Sequence, residues 1–292
     1  MQNEVKIAME SACLTVLVPA YNEERTIETV LRRVLKLGSI LKEVVIVDDG
    51  SSDGTAQVVE ALAAENPLLR FFRLPRNQGK TAAIRQALEK ATGDIIIIQD
   101  ADLEYDPLEI PTVIAPILGG QADVVYGSRF LVRKAARVLY FYHFLANKFL
   151  TFCSNLLTNR NMTDIETCYK AFRAGVIKPL RLSSQGFGME VEITALVCKT
   201  RARTYEVPIS YYGRSYEEGK KIGVMDGIKA MWYIFYYNLV KPKLSAGRHY
   251  IQATNVYLDE IRRSPQTTDL PCEESFPRVG LQAVSAAAGV AG

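Results

Sequence analysis

Along the first 130 residues, short runs of β-branched and aromatic residues alternate with longer stretches whose apolar positions recur every three or four residues. The runs "LTVLVP" from Leu14, "EVVIVDD" from Glu43, "LRFFRL" from Leu69, "DIIIIQD" from Asp94 and "ADVVYGS" from Ala122 predict strands. Between them, residues 24–37, 53–65, 80–91 and 107–118 predict helices. This rhythm predicts parallel strands joined by crossover helices, an α/β sheet covered on its faces. Ligands of such sheets sit beyond the carboxyl ends of the strands. The polar clusters fall there: "PAYNEE" after the first strand, "DDGSSDGT" after the second, "RNQGK" after the third and "DADLEY" after the fourth. Clusters gathered on one sheet edge predict a single site.

The second half is more helical, with "GMEVEITALVCK" from Gly188, a strand "TYEVPISYY" from Thr204 and an aromatic helix from Ile222. In "VLYFYHFLANKFLTFCSNLL" from Val138, the residues Val138, Phe141, Leu145, Phe149, Phe152 and Leu156 form one helical stripe. His143, Asn147, Lys148, Thr151 and Asn155 mark the opposite side. Such a helix either packs its stripe on a core or lies in a membrane interface; Arg133, Lys134 and Arg137 just before it suit the second case. No stretch reaches the roughly 18 uninterrupted apolar residues of a membrane span. Beyond Lys243 the periodicity dissolves, and residues 244–292 read as a mostly disordered tail.

Composition narrows the function classes. With 292 residues, 48% of them hydrophobic, the chain buries one large core or two smaller ones. A net charge of +3 without a dense basic stripe argues against a nucleic-acid partner. Five scattered cysteines favour reduced thiols in a cytosolic compartment over a disulfide framework. With His143 and His249 the only histidines, a histidine-rich zinc site is excluded. The N-terminus lacks the basic start and apolar run of a secretory signal.

The segment "GDIIIIQDADLEYDP" sets Asp100, Asp102, Glu104 and Asp106 at every second position after a buried run. Were the strand to continue through them, all four side chains would face one way and repel one another unless a cation sat among them. Carboxylates are the ligands that Mg²⁺ or Mn²⁺ prefer. The competing reading is a solvated acidic turn, with Asp106 and Pro107 opening a loop.

Taken together, "VPAYNEE", "VDDGSSDGT", "RNQGKTAAIRQAL", "DADLEY" and "GSRF" resemble the family 2 glycosyltransferases, whose fold is GT-A, a Rossmann-like, mostly parallel sheet flanked by helices. "DIETCYKAFR", "GFGMEVEITALV" and "VPISYYGRSYEEGKKIGVMDGIKAM" look like the polyprenyl-phosphate branch, which includes dolichyl-phosphate mannose and glucose synthases. The processive polysaccharide synthases of the family carry Gln-x-x-Arg-Trp. The single tryptophan here, Trp232, follows "KAM", which argues against chain polymerisation. The resemblance implies an N-terminal arm at 1–13 and a glycosyltransferase domain at 14–243, with a nucleotide-binding half at 14–130 and an acceptor and membrane half at 131–243. C-terminal amphipathic helices would then lie in the membrane interface.

The resemblance further implies a nucleoside-diphosphate sugar donor, a polyprenyl phosphate acceptor and peripheral attachment to the cytosolic face of a membrane. Mg²⁺ or Mn²⁺ would be held by Asp102 and Glu104, with Asp100 either ligating the ion or orienting donor groups. Pro19, Tyr21 and Glu23 would meet base and ribose, Asp49 the base imide, and Lys80 base or phosphate. As alternatives, Ser52 or Asp53 caps the following helix and Lys80 is a solvated lysine. Arg129 and Arg137 would grip the acceptor phosphate, Arg137 having lipid head groups as its alternative partner. Arg214 with Lys220 or Lys221 would cover the donor diphosphate. Asp164 and Glu166 match an element near the acceptor and act either as a general base or in ordering a loop. A phosphate acceptor is already ionised and needs no base. Glu190 and Glu192, two apart on a helix, do not share a face and receive no catalytic role. Two rival readings remain, a soluble transferase with a hydroxyl acceptor and a non-catalytic donor-binding scaffold. The sequence leaves sugar, base and oligomeric state open.

Overall fold

The computed structural model describes residues 13–131, 137, 140–186, 188–213 and 224–263. Seven strands form one sheet: β1 (Leu14–Ala20), β2 (Leu41–Asp48), β3 (Leu69–Arg73), β4 (Ile95–Ile98), β5 (Val124–Ser128), β6 (Lys170–Arg173) and β7 (Thr204–Pro208). Their order is β3-β2-β1-β4-β6-β5-β7. β1 pairs in parallel with β2 and β4, β2 with β3 and β5 with β7, whereas β6 runs antiparallel between β4 and β5. The central strands are buried along their whole length, as near-continuous Val, Ile and Leu runs require when both faces are covered.

Helices α1 (Ile27–Leu35), α2 (Thr55–Glu65), α3 (Lys80–Lys90) and α4 (Ile110–Leu118) connect the first five strands. The second half adds α5 (Phe141–Thr158), the short α6 (Ala174–Ile177), α7 (Gly188–Val197), α8 (Val224–Phe235) with a π-helical turn at Tyr236–Val240, and α9 (Ser245–Arg263). Among the described residues, no helix is long and apolar enough to cross a membrane.

Three expectations change, and one open alternative is decided. The strand at β6 is new: "KAFR" has charged ends and only two apolar residues, so it lacks a strand pattern. Yet Lys170 and Arg173 are both buried, because β6 lies inside the sheet. Residues 245–263, expected in a disordered tail, form α9. Its Tyr250 and Leu258 are buried, while Arg262 donates to Asp123, a buried carboxylate that also holds Arg203. Residues 264–292, Cys272 among them, and residues 1–12 of the expected arm lie outside the described residues. Cys13 is disulfide-bonded, so reduced thiols do not hold throughout; Cys153, Cys168 and Cys198 are free.

The alternative left open concerns α5. Its apolar stripe faces outward, with Phe141, Leu145, Phe149, Phe152 and Leu156 between 51% and 72% exposed. Its polar side faces inward: Asn155 bonds the backbone of Met162 twice, and Lys148 donates to the Thr163 carbonyl. The stripe is therefore not a core stripe. On α8, which packs against α5, Ile228, Trp232 and Phe235 and, just beyond, Leu239 are also exposed.

Candidate active site

The loops after β1 and β2 are stitched together by their own polar residues. The N–H of Asn22 donates to Ser51 Oγ, that of Glu23 to Thr55 Oγ1 and that of Glu24 to Asp53 Oδ2. In return, Asn22 Oδ1 accepts from the Ser52 N–H and Glu24 Oε2 from the Gly54 N–H. Asn22 adopts φ 55°, a left-handed conformation that asparagine tolerates, and this turns its amide back across the gap. Asp53 also accepts from the Thr55 N–H at 3.0 Å in the turn before α2, but the N-cap is Gly54, with no side-chain cap, rather than the expected Ser52 or Asp53.

Asp48 is fully buried and ion-paired with Arg73 at 3.0 Å. Its neighbour Asp49 accepts from the N–H groups of Gln78 and Gly79, both at 2.7 Å, and so shapes the turn that opens α3. Burial pushes the Asp49 carboxyl above its usual range, against the two backbone donors that pull it down. Between these strands Gly50 sits at φ +70°, and a Cβ there would lie 2.7 Å from the Arg76 carbonyl carbon. Glycine is required on both counts.

These loops open onto a cavity of about 350 Å³ whose lining includes Pro19, Tyr21, Glu23, Asp49, Lys80, Asp100 and Asp102. All seven are expected site residues, drawn from four strand ends that lie far apart in sequence. Lys80 is not a solvated lysine. Its Nζ lies 2.8 Å from Asp100 Oδ1 and 3.2 Å from Glu190 Oε1, and these carboxylates raise its pKa well above the usual value although burial opposes them.

The acidic segment does not continue the strand. β4 ends at Ile98 and the chain bends, so its four carboxylates separate. Asp100 and Asp102 line the cavity, while Glu104 accepts from the Tyr211 hydroxyl at 2.8 Å. Asp106 caps the turn at Pro107–Glu109 and pairs with Arg33. Among the described residues, no group of three or more Asp, Glu, His or Cys side chains is arranged to hold a metal ion. The expected set of Asp100, Asp102 and Glu104 is thus not brought together. Two cavity carboxylates remain, and that donor set suits an ion such as Mg²⁺, which is commonly held by one or two carboxylates with substrate phosphates and water completing its shell.

On the far side of β4, Arg129 meets Asp164 in a two-pronged ion pair, Nε to Oδ2 at 2.7 Å and Nη2 to Oδ1 at 2.8 Å. The Arg129 N–H adds a third bond to Oδ2 at 3.1 Å. The Arg129 guanidinium also lies over the Tyr211 ring, 5.0 Å from its centre, and Tyr105 packs between Tyr211 and Tyr169. Arg129, expected to grip a phosphate, is engaged with Asp164 within the protein. Arg137 is exposed and donates to the Gly213 carbonyl at 2.7 Å. Arg214, Lys220 and Lys221 lie outside the described residues.

Sequence reasoning missed Glu190 as the second partner of Lys80. The signal was available, since a carboxylate in the first turn of a wholly buried helix must have a polar reason to be there. Glu192 has another: it accepts from the backbone of Ser183 and Ser184.

A mostly parallel sheet with a nucleotide-sized, acid-lined cavity at the carboxyl edge of its first four strands defines an α/β domain of the GT-A class. The chain belongs to glycosyl transferase family 2, whose sequence profile matches residues 15–181. It is 28% identical to a dolichol-phosphate mannosyltransferase of Pyrococcus furiosus over 72% of this chain and 59% of that protein. It is 31% identical to an undecaprenyl-phosphate 4-deoxy-4-formamido-L-arabinose transferase of Proteus mirabilis over 71% of this chain and 62% of that one. The match thus spans about three-fifths of the length of these relatives. Among solved structures, the glucosyl-3-phosphoglycerate synthase of Mycobacterium tuberculosis in complex with Mn²⁺ and uridine-diphosphate-glucose shares the fold, with TM-score 0.60 at 18% identity over 82% of this chain and 83% of that one.

Proposed function

We propose that the protein is a metal-dependent, inverting transferase that moves a hexose from a nucleoside-diphosphate sugar, UDP-glucose or GDP-mannose, to a polyprenyl phosphate at the cytosolic face of a membrane. The observation that carries this reading is the convergence of Tyr21, Glu23, Asp49, Lys80, Asp100 and Asp102 on one cavity in a family 2 chain. The names of its relatives, transferases of dolichol phosphate and undecaprenyl phosphate, supply the acceptor class.

Tyr21 and Glu23 would contact base and ribose, with Asp49 holding the base and the turn beside it. Lys80 would face the diphosphate. Asp100 and Asp102 would hold Mg²⁺ or Mn²⁺, which when bound stabilises the negative charge on the departing diphosphate. The acceptor phosphate has a second pKa near 6 and is largely dianionic at neutral pH. One of its oxygens bonds to the anomeric carbon from the face opposite the diphosphate, whose own bond to that carbon breaks. No proton has to be removed, so no base is required. What the protein supplies on this side is positive charge and order. Arg137 would meet the acceptor phosphate, Arg214 with Lys220 or Lys221 would, by the family resemblance, cover the donor diphosphate, and Arg129 with Asp164 would fix the wall between the two substrates.

The outward apolar face of α5 and α8 would seat the protein on the lipid surface, where a polyprenyl acceptor resides. The test offers radiolabelled UDP- and GDP-sugars with Mn²⁺ and a short-chain polyprenyl phosphate, and counts the lipid extract. Label in the lipid is expected from one donor class. Label only in a water-soluble product, with a saccharide acceptor, would overturn the lipid reading.

A further inference from the structure

Lys80 and Asp100 both line the donor cavity, and each is already engaged by the other. Lys80 Nζ lies 2.8 Å from Asp100 Oδ1, 3.2 Å from Glu190 Oε1 and 3.5 Å from Cys168 Sγ. An ammonium has three N–H donors, and these three acceptors account for them. A diphosphate facing Lys80 and an ion held by Asp100 would therefore have to break the same pair. The partners differ in how readily they part. The side chains of Lys80 and Asp100 are 26% and 22% exposed, whereas that of Glu190 is 6% exposed and stands in the first turn of α7, a helix buried along all ten of its residues. Glu190 is thus the fixed anchor of the ammonium, and Asp100 is its partner at the cavity wall. Lys80 is also the first residue of α3, where the helix dipole disfavours a cation and favours an anion, and no acidic residue stands in that first turn. An ammonium kept at the positive end of a helix and facing a cavity fits a ligand that brings negative charge.

We propose that the Lys80 ammonium takes the place of a metal cation at Asp100 until a nucleoside diphosphate arrives, and that this exchange makes the ion and the diphosphate bind as a pair. With Lys80 on Asp100 that carboxylate is neutralised, and an ion arriving alone meets a positive charge beside its ligand. A diphosphate offers the ammonium another anion. Lys80, still tethered to Glu190, turns one N–H from Asp100 to the phosphate oxygens, and Asp100 is released to the ion. No covalent bond changes. The proposal rests on the reading of the cavity as a nucleoside-diphosphate site.

The experiment measures Mn²⁺ binding to the full chain by electron paramagnetic resonance, which reads the free ion, and binding of UDP and of GDP by titration calorimetry with and without Mn²⁺. Melting curves control for the fold. The double variant Lys80→Met with Glu190→Gln removes the ammonium together with its buried counter-charge and leaves the net charge unchanged. It should bind Mn²⁺ alone about tenfold more tightly than wild type, the scale of one charge-assisted contact taken away from Asp100. Adding Asp100→Asn should abolish that gain. Mn²⁺ should raise the affinity of wild type for the nucleotide it prefers about a hundredfold, and that of the double variant about tenfold, because the coupling between the two ligands is reciprocal. Binding of Mn²⁺ to the nucleotide in solution is common to both proteins and cancels in the comparison. Failure of the wild type to bind either nucleotide with Mn²⁺ would sink the donor reading, and this proposal with it. Nucleotide binding by wild type with no gain in Mn²⁺ affinity in the double variant, undetectable Mn²⁺ binding by both proteins included, would overturn the exchange alone. Should the double variant fail to fold, Lys80→Gln, whose amide can still donate to Glu190, makes the same comparison.

Discussion

Replacing Asp164 by asparagine tests whether the segments after β5 and before β6 are held together by a buried charge pair. Asp164 is fully buried, its partner Arg129 is 12% exposed by side chain, and three Arg129 donors reach the carboxylate at 2.7, 2.8 and 3.1 Å. Hydrogen bonds to charged groups contribute about 1.5–3 kcal/mol each, so three set a ceiling of roughly 4.5–9 kcal/mol. Asparagine keeps one acceptor oxygen, which retains part of this, but it leaves the guanidinium without its counter-charge. Removing one partner of a buried pair costs about 3–5 kcal/mol. At about 2–4 °C per kcal/mol for a domain of this size, the melting temperature should fall by roughly 6–20 °C.

The assay is thermal melting by circular dichroism with a urea midpoint as cross-check, on wild type, Asp164→Asn and the double variant Arg129→Met with Asp164→Leu. The double variant removes both charges and should recover most of the loss. The pair lowers the Asp164 pKa below the ordinary 3.8, so its contribution is present above that value and is lost as pH falls further toward the folded-state pKa. The gap between wild type and Asp164→Asn should therefore be full at neutral pH and close under acid. A shift under about 2 °C at pH 7, or a double variant no more stable than Asp164→Asn, would refute the reasoning.

Four other outcomes are expected. Asp102→Asn should abolish metal-dependent turnover with an unchanged melting curve, and near-normal rates at ordinary metal concentration would remove Asp102 from the ion. Gly50→Ala, at φ +70° with its new Cβ against the Arg76 backbone, should destabilise by more than about 2 kcal/mol and weaken nucleotide binding through Asp49, measured by denaturant midpoint and calorimetry. Phe141→Asp with Phe149→Asp, both on the outward face, should leave the melting temperature intact and reduce binding to anionic vesicles; unfolding instead would put that helix in the core. Arg137→Ala should raise the KM for polyprenyl phosphate about tenfold while leaving donor affinity unchanged, as steady-state kinetics and calorimetry would report.

The parallel half of the fold was legible because its physics is local. Runs such as Ile95–Ile98 are apolar throughout and end in turn-forming polar residues, so strand, helix and loop follow from composition and period. The cavity was legible for the same reason, since loops at one sheet edge must converge. What failed depended on distant partners. β6 is a strand because β4 and β5 leave a gap that it fills, and nothing in "KAFR" records that gap. The face of α5 was readable as a stripe, but its direction depends on Met162 and Thr163 satisfying Asn155 and Lys148. The spacing of Asp100, Asp102 and Glu104 implied a shared face only if the strand continued. The bend after Ile98 breaks that condition and hands Glu104 to Tyr211. α9 was missed although its buried Gly247, Tyr250, Thr254 and Leu258 recur every three or four residues, because a glycine and a threonine among them weaken the apolar stripe and its anchor is the distant Asp123.

Asp123 lies just before β5, yet the groups that neutralise it arrive far later: Arg173 at the end of β6, Arg203 before β7 and Arg262 in the last turn of α9. During synthesis the carboxylate is therefore made some 50 to 140 residues before its partners, and it cannot be buried at acceptable cost until they emerge. Strands β1 to β4 can pair early, but β5 has to wait at the growing edge of the sheet, exposed to chaperones and to other nascent chains. The passage of α9 from the ribosome is thus the event that closes the domain. Slowing translation ahead of Ser245–Arg263 should lengthen the life of an open, aggregation-prone sheet without altering a single residue of the finished protein.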